Sequence, residues 1–162
     1  MAFIKSGSTV ISFAEYSDVL SADQRMFDSN EGLTDDVIET HLIRSTERIL
    51  TLVRATDWWV TLTGSLSVNA TPELHGAQIL YRKNDFTDLC IYYALCQYIY
   101  PTIADFSDPD NAERAKIGFY QQKFQQLFDE LIGAGNWYDL NNDGKITADE
   151  SKKGYISLKR VR

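Results

Sequence analysis

Histidine, cysteine and proline are scarce in this chain, and each scarcity removes a class of answer. Of 162 residues, two are histidine, two cysteine and three proline. His41 and His75 have no cysteine at ligand spacing, which speaks against a zinc centre of nitrogen and sulfur donors. Cys90 and Cys96 lie in a stretch that reads as helix, about 240° apart around its axis, so they cannot bond to each other. They read as small apolar packing residues. No apolar run approaches the roughly 18 residues of a membrane-spanning helix. The opening MAFIKSGSTVISF has neither a continuous apolar core nor a small-residue cleavage site, so the expectation is a protein folded in a cytoplasm. Asn69-Ala70-Thr71 is then a glycosylation acceptor in form only. A glycine-rich phosphate loop and a nucleophile elbow are also missing, and the sequence does not point to an enzyme.

What is present divides by charge. Residues 1–144 hold ten Lys and Arg against 21 Asp and Glu, a net of −11, whereas residues 145–162 hold six against two, a net of +4. Binding of DNA by the body through its phosphates is disfavoured, because such binding needs a basic face. The basic end suits an acidic partner.

The pattern of the first 135 residues is helical. Ser12-Phe13-Ala14-Glu15 and Ser21-Ala22-Asp23-Gln24 have the form of capping boxes and predict short helices over about 13–20 and 22–29, the second closed by Gly32. Thr34 followed by Asp35 and Asp36 predicts the start of a long helix running to about residue 56. Its buried stripe is Ile38, Leu42, Ser45, Ile49 and Val53, at steps of three and four. In WWVTLTGSLSVNAT, residues 58–71, apolar and polar residues alternate around Gly64, which predicts a small β-hairpin. Asp85 is the expected cap of an apolar helix over 86–100, ended by Pro101, and this helix is the expected centre of the core. Asp108-Pro109 opens the last long helix, about 109–132, with Ile117, Tyr120, Phe124, Leu127, Phe128 and Leu131 inward and Gly133-Ala134-Gly135 at its end. The expected fold is mainly α: a helical bundle with two long helices, a buried central helix and a small hairpin. An extended C-terminal arm follows a calcium-type loop, so the chain divides into a helical unit, 1–135, and a loop-and-arm unit, 136–162.

The loop is DLNNDGKITADE, residues 139–150. Asp139, Asn141 and Asp143 occupy the first, third and fifth positions of a twelve-residue calcium loop, Gly144 the sixth and Glu150 the twelfth. A hard cation of this size takes six to eight oxygens. The spacing would supply three side chains, the Lys145 carbonyl, Thr147 through a water, and both oxygens of Glu150. The calcium expected is structural: a sensor needs entering and exiting helices that swing apart, and neither flank provides one. The loop reads as a fixed corner that launches the arm. In the arm Tyr155, Ile156, Leu158, Lys159, Arg160 and Arg162 are the expected partner contacts, Ile156 and Leu158 alternating with polar residues as on a strand.

Taken together, ISFAEYSDVL, TERILTLVRATDWW, FTDLCIYYALCQYIYP and GNWYDLNNDGKI, in that order, resemble the head–tail adaptor (connector) proteins of tailed bacteriophages over roughly residues 10–146. The resemblance implies a structural virion protein, made in the bacterial host cytoplasm, with no catalytic residues. It would form a homo-oligomeric ring, commonly of twelve copies, beneath the portal protein at the neck. There it would meet a neck or tail-completion protein and pass DNA without sequence-specific binding or any membrane contact. An acidic body suits a channel that repels phosphate. The alternative is a small calcium-dependent binding module whose metal loop is the functional surface. It would be a monomer with a calcium-dependent ligand, whereas the adaptor would form rings or bind a portal.

Overall fold

The computed structural model describes residues 3–23, 32–64 and 73–151. The chain opens with a hairpin, β1 (Ile4–Ser6) and β2 (Thr9–Ser12), turning at Gly7, whose φ of +63° a side chain would strain. Helices α1 (Tyr16–Ala22), α2 (Asp35–Arg54) and α3 (Asp57–Thr63) follow. A 3₁₀ turn (Gly76–Gln78) leads into α4 (Lys83–Ala94), which passes through a π turn (Leu95–Ile99) into α5 (Tyr100–Ile103). Helix α6 (Ala112–Ala134) precedes the loop. The architecture is mainly helical with a small antiparallel sheet, and α4 packs against both α2 and α6.

Helix α2 follows its pattern closely. Thr34 Oγ1 accepts the Val37 N–H, and Ile38, Leu42, Ser45, Ile49 and Val53 are all buried. Thr46 joins them, donating to the Leu42 carbonyl and accepting from the Phe13 N–H, which ties α2 to the hairpin. The central helix is also where it was expected: Phe86, Leu89, Cys90, Ile91, Ala94 and Leu95 are buried. Burial pushes the Cys90 thiol up to about 12, as suits a packing residue.

The hairpin expected over 58–71 is a correction. Residues 57–63 are α3, because Thr56 caps the Trp59 N–H and a helix places Trp58, Trp59 and Leu62 in the core together. A strand would have buried Val60 beside Leu62, but Val60 is 61% exposed. Residues 65–71 lie outside the described residues. The sheet belongs instead to residues 4–12, where Ser12 is a strand residue bonded to Ala14 rather than a helix cap. Helix α1 starts at Tyr16 and is capped reciprocally by Glu15 and Asp18. The second short helix, expected over 22–29, falls mostly outside the described residues.

Three helix ends also move. Arg82, in the left-handed region at φ +57°, precedes α4, and Asp85 pairs with it instead of capping. Pro101 does not end the helix. The Tyr100 N–H reaches back five residues to the Leu95 carbonyl, and this wider turn sets the proline at the start of a fresh turn, where its missing N–H leaves no gap. Helix α6 begins at Ala112, capped by Asn111 Oδ1 on the Arg114 N–H, because Asp108 folds onto the Asp110 N–H in a turn of its own. Gly135, at φ +57°, closes α6 as read from the sequence.

Candidate functional site

The loop is fixed to the body by the two residues before it. Trp137 and Tyr138 are 0% and 1% exposed. The Trp137 ring packs 4.6 Å from Trp58 and 4.8 Å from Phe86, and its Nε1–H donates to the Leu131 carbonyl at 2.8 Å. Tyr138 pairs as a short bridge with Ile79, and its hydroxyl donates to Gln78 Oε1 at 2.7 Å and accepts from the His75 N–H. Burial pushes that phenol up to about 12. Asp139 N–H then donates to the Gln78 carbonyl, so the first loop position is held by backbone as well.

From Asp139 onward the loop is braced by its own side chains. Asp139, 1% exposed, accepts from the Asp143 N–H with Oδ1 and from the Gly144 N–H with Oδ2. Asn141 Oδ1 accepts the Asp143 N–H as well, and Asp143 Oδ1 accepts the Lys145 N–H. Asn142 at φ +58° and Gly144 at φ +82° make the reversal. The Asn141 amide reaches Asp143 Oδ2 at 3.2 Å, so the third and fifth positions meet. Glu150, 5% exposed, closes the loop: Oε1 accepts the Leu140 and Asn141 N–H groups, and Oε2 accepts the Thr147 N–H and hydroxyl.

The site residues expected from sequence therefore divide. The side chains of Asn141 and Asp143 meet, whereas Asp139 is joined to Asp143 only through the Asp143 N–H. Glu150 reaches the N–H groups of Leu140, Asn141 and Thr147, and Lys145 and Thr147 contribute backbone and hydroxyl donors to the brace. Among the described residues, no three His, Cys, Asp or Glu side chains are gathered as a metal-binding group. The donor chemistry is nonetheless that of a hard cation: all oxygen, with one acceptor position unspent on each oxygen of Asp139. Glu150 differs, because its four acceptor positions are all engaged by internal donors; ligation through it requires some of these to let go. Tyr155, Ile156, Leu158, Lys159, Arg160 and Arg162, the expected partner contacts, lie outside the described residues.

Two polar clusters on the bundle were not read as sites from sequence. A concavity of about 330 Å³ between α1 and α4 has Asp18 and Asp88 in its walls. Burial first, then the nearby Asp85 and Asp18 charges, push the Asp88 carboxyl up. Elsewhere the Arg44 guanidinium sits 4.7 Å from the centre of the Tyr98 ring, and His41 stacks on the same ring at 5.3 Å. The spacing 41, 44, 48 on α2 carried that signal; the packing of Tyr98 beneath it, from the π turn, did not show in the sequence.

No family model, curated protein or solved structure matches the chain.

Proposed function

We propose that the protein is a head–tail adaptor of a tailed bacteriophage: a structural ring subunit that joins the portal to the neck or tail and continues the DNA channel. The observation that carries this reading is the convergence of the four stretches behind the resemblance. Phe13 lies 5.4 Å from Phe86, Phe86 lies 4.8 Å from Trp137, and Trp137 lies 4.6 Å from Trp58. One aromatic cluster thus holds residues from all four, as a single module would require. The acidic body supports passage of DNA rather than its capture. In the same reading, the loop is a corner fastened by Trp137 and Tyr138 that sets the exit of residues 151–162, and this basic, half-apolar arm docks on the portal or a neighbouring copy. A structural calcium ion would be held by Asp139, Asn141, Asp143 and the Lys145 carbonyl, with Thr147 through a water and with Glu150 once it releases internal donors. It would supply charge neutralisation and stiffness, not chemistry.

The test is co-sedimentation and negative-stain imaging with a tailed-phage portal protein, taken from the genomic neighbourhood of this chain. Full-length chain should form rings on the portal, and deletion of 153–162 should leave the protomer folded but unattached. Equal recovery of portal with both forms overturns the docking role of the arm. Absence of portal binding and of rings by the full chain overturns the adaptor reading. The calcium loop favours the second reading, a calcium-dependent binding module, which instead requires a monomer that captures its ligand only when calcium is present.

A further inference from the structure

Helix α4 separates two faces of opposite charge. On one side lies the concavity walled by Asp18 and Asp88, with Asn84 and Thr87 at its edge. Asp18 is 5% exposed. Its Oδ2 accepts the Glu15 N–H, but its Oδ1 is buried with no hydrogen-bond partner among the described residues. An unmatched buried acceptor is costly, and more so when charged, so a donor entering here is favoured. Among the described residues neither Asp18 nor Asp88 makes a salt bridge. Lys123 lies in the adjoining hollow that shares Asp88, but its ammonium sits over the Phe119 ring at 5.6 Å.

The other side carries Arg44 and Arg48, with Glu47 exposed beside them on the same helix. Val37, His41, Arg44 and Arg48 follow one another at steps of four, three and four along α2, a single stripe of its surface. Arg44 is held over Tyr98, and Arg48 lies beside the Tyr93 hydroxyl. Neither arginine makes a salt bridge among the described residues. The Tyr98 ring restrains the Arg44 guanidinium and the Tyr93 hydroxyl restrains that of Arg48, which lowers the cost of ordering them on contact. His41 Nδ1 is another buried polar atom on this face without a hydrogen-bond partner among the described residues. Asn84 and Tyr93 are nine residues apart on α4, about two and a half turns, which sets the acidic pocket and the arginine stripe on opposite sides.

We propose that the Arg44–Arg48 stripe of one copy docks into the Asp18–Asp88 pocket of a second copy. These charges, none in a salt bridge among the described residues, are complementary, and both faces belong to the same chain. The contact joins two different patches, so it repeats head to tail and either closes into a ring or extends as a filament. It rests on the adaptor reading only in requiring that copies associate.

Charge exchange tests the contact on the full chain by sedimentation velocity, with no portal present. Wild type should self-associate, more weakly as salt rises. Arg48→Asp and Asp88→Arg, both at exposed positions, should each weaken association about tenfold or more. The double variant, which swaps the two charges across the contact and so restores an opposite pair, should recover most of the loss. Circular dichroism confirms that each variant is folded. A wild type that stays monomeric overturns the contact, as does association unchanged by either reversal or two reversals whose losses simply add. Portal co-sedimentation and negative-stain imaging run in parallel separate the two readings. Portal binding without self-association overturns this contact and leaves the adaptor, whereas charge-dependent self-association into open filaments, with neither rings nor portal binding, does the reverse.

Discussion

Replacing Glu150 by alanine removes the acceptor of four donors at once: the N–H groups of Leu140, Asn141 and Thr147, and the Thr147 hydroxyl. The three amides have no other acceptor among the described residues. Hydrogen bonds to a charged group each contribute about 1.5–3 kcal/mol where fully formed, but Leu140 and Thr147 are not deeply buried and water recovers part of the loss. The local cost is therefore about 3 kcal/mol, or roughly a hundredfold in the opening equilibrium of the loop. Global stability should fall much less, by under about 1 kcal/mol, because Trp137 and Tyr138 stay packed when the loop opens. Amide hydrogen exchange followed by NMR separates the two quantities. Protection at residues 140, 141 and 147 should drop about a hundredfold while the amides of α2 and α6 keep theirs. Unchanged protection at those three amides, or a loss spread equally over α2 and α6, refutes the bracing role. Glu150→Gln should behave nearly as badly, because its NH₂ group turns a donor toward donors. Protonation imitates the substitution. Burial alone would raise the Glu150 carboxyl, but the amide and hydroxyl of Thr147 and the amides of Asn141 and Leu140 hold it below the usual carboxylate range. The stabilisation is complete above the ordinary glutamate value and is lost as pH falls through the lowered folded value.

Leu95→Ala empties a fully buried position in the π turn and should cost about 2–5 kcal/mol in urea unfolding; a loss under about 0.5 kcal/mol would contradict the packing of the central helix. Gly76→Ala sets a Cβ 2.9 Å from Val10 Cβ and 3.1 Å from Phe13 Cε1, so thermal unfolding should register a loss of about 1–3 kcal/mol, and an unchanged midpoint would mean the hairpin slides away freely. If the loop takes calcium, the ion should raise the melting temperature by mass action, and calorimetry should detect binding that Asp143→Ala abolishes with the helical circular-dichroism signal retained. No heat of binding to wild type, free or assembled, sinks that assignment.

The local sequence by itself determined the long helices. In α2 the cap at Thr34, the acidic first turn and the apolar stripe all agree, and nothing tertiary had to overrule them. The inward face of α6 and its glycine end were legible for the same reason. So was the bend of the loop, where Asp139, Asn141 and Asp143 each accept an N–H only a few residues on, and Asn142 and Gly144 are of the types that tolerate the left-handed backbone. Tertiary packing decided the rest. WWVTLT alternates like a strand, yet it is helical because Trp58 and Trp59 find Trp137 and Tyr138, which are nearly eighty residues away in sequence and carry more buried area than the alternation could offer. Pro101 reads as a stop, yet the helix widens by one residue and passes it, since the aromatic and aliphatic neighbours of Leu95–Tyr100 keep that segment buried. The acidic pocket, and the Tyr98 ring beneath the arginine stripe of α2, were invisible for a related reason. Each brings together side chains from separate helices, and no spacing along one chain segment encodes how two helices are turned toward each other.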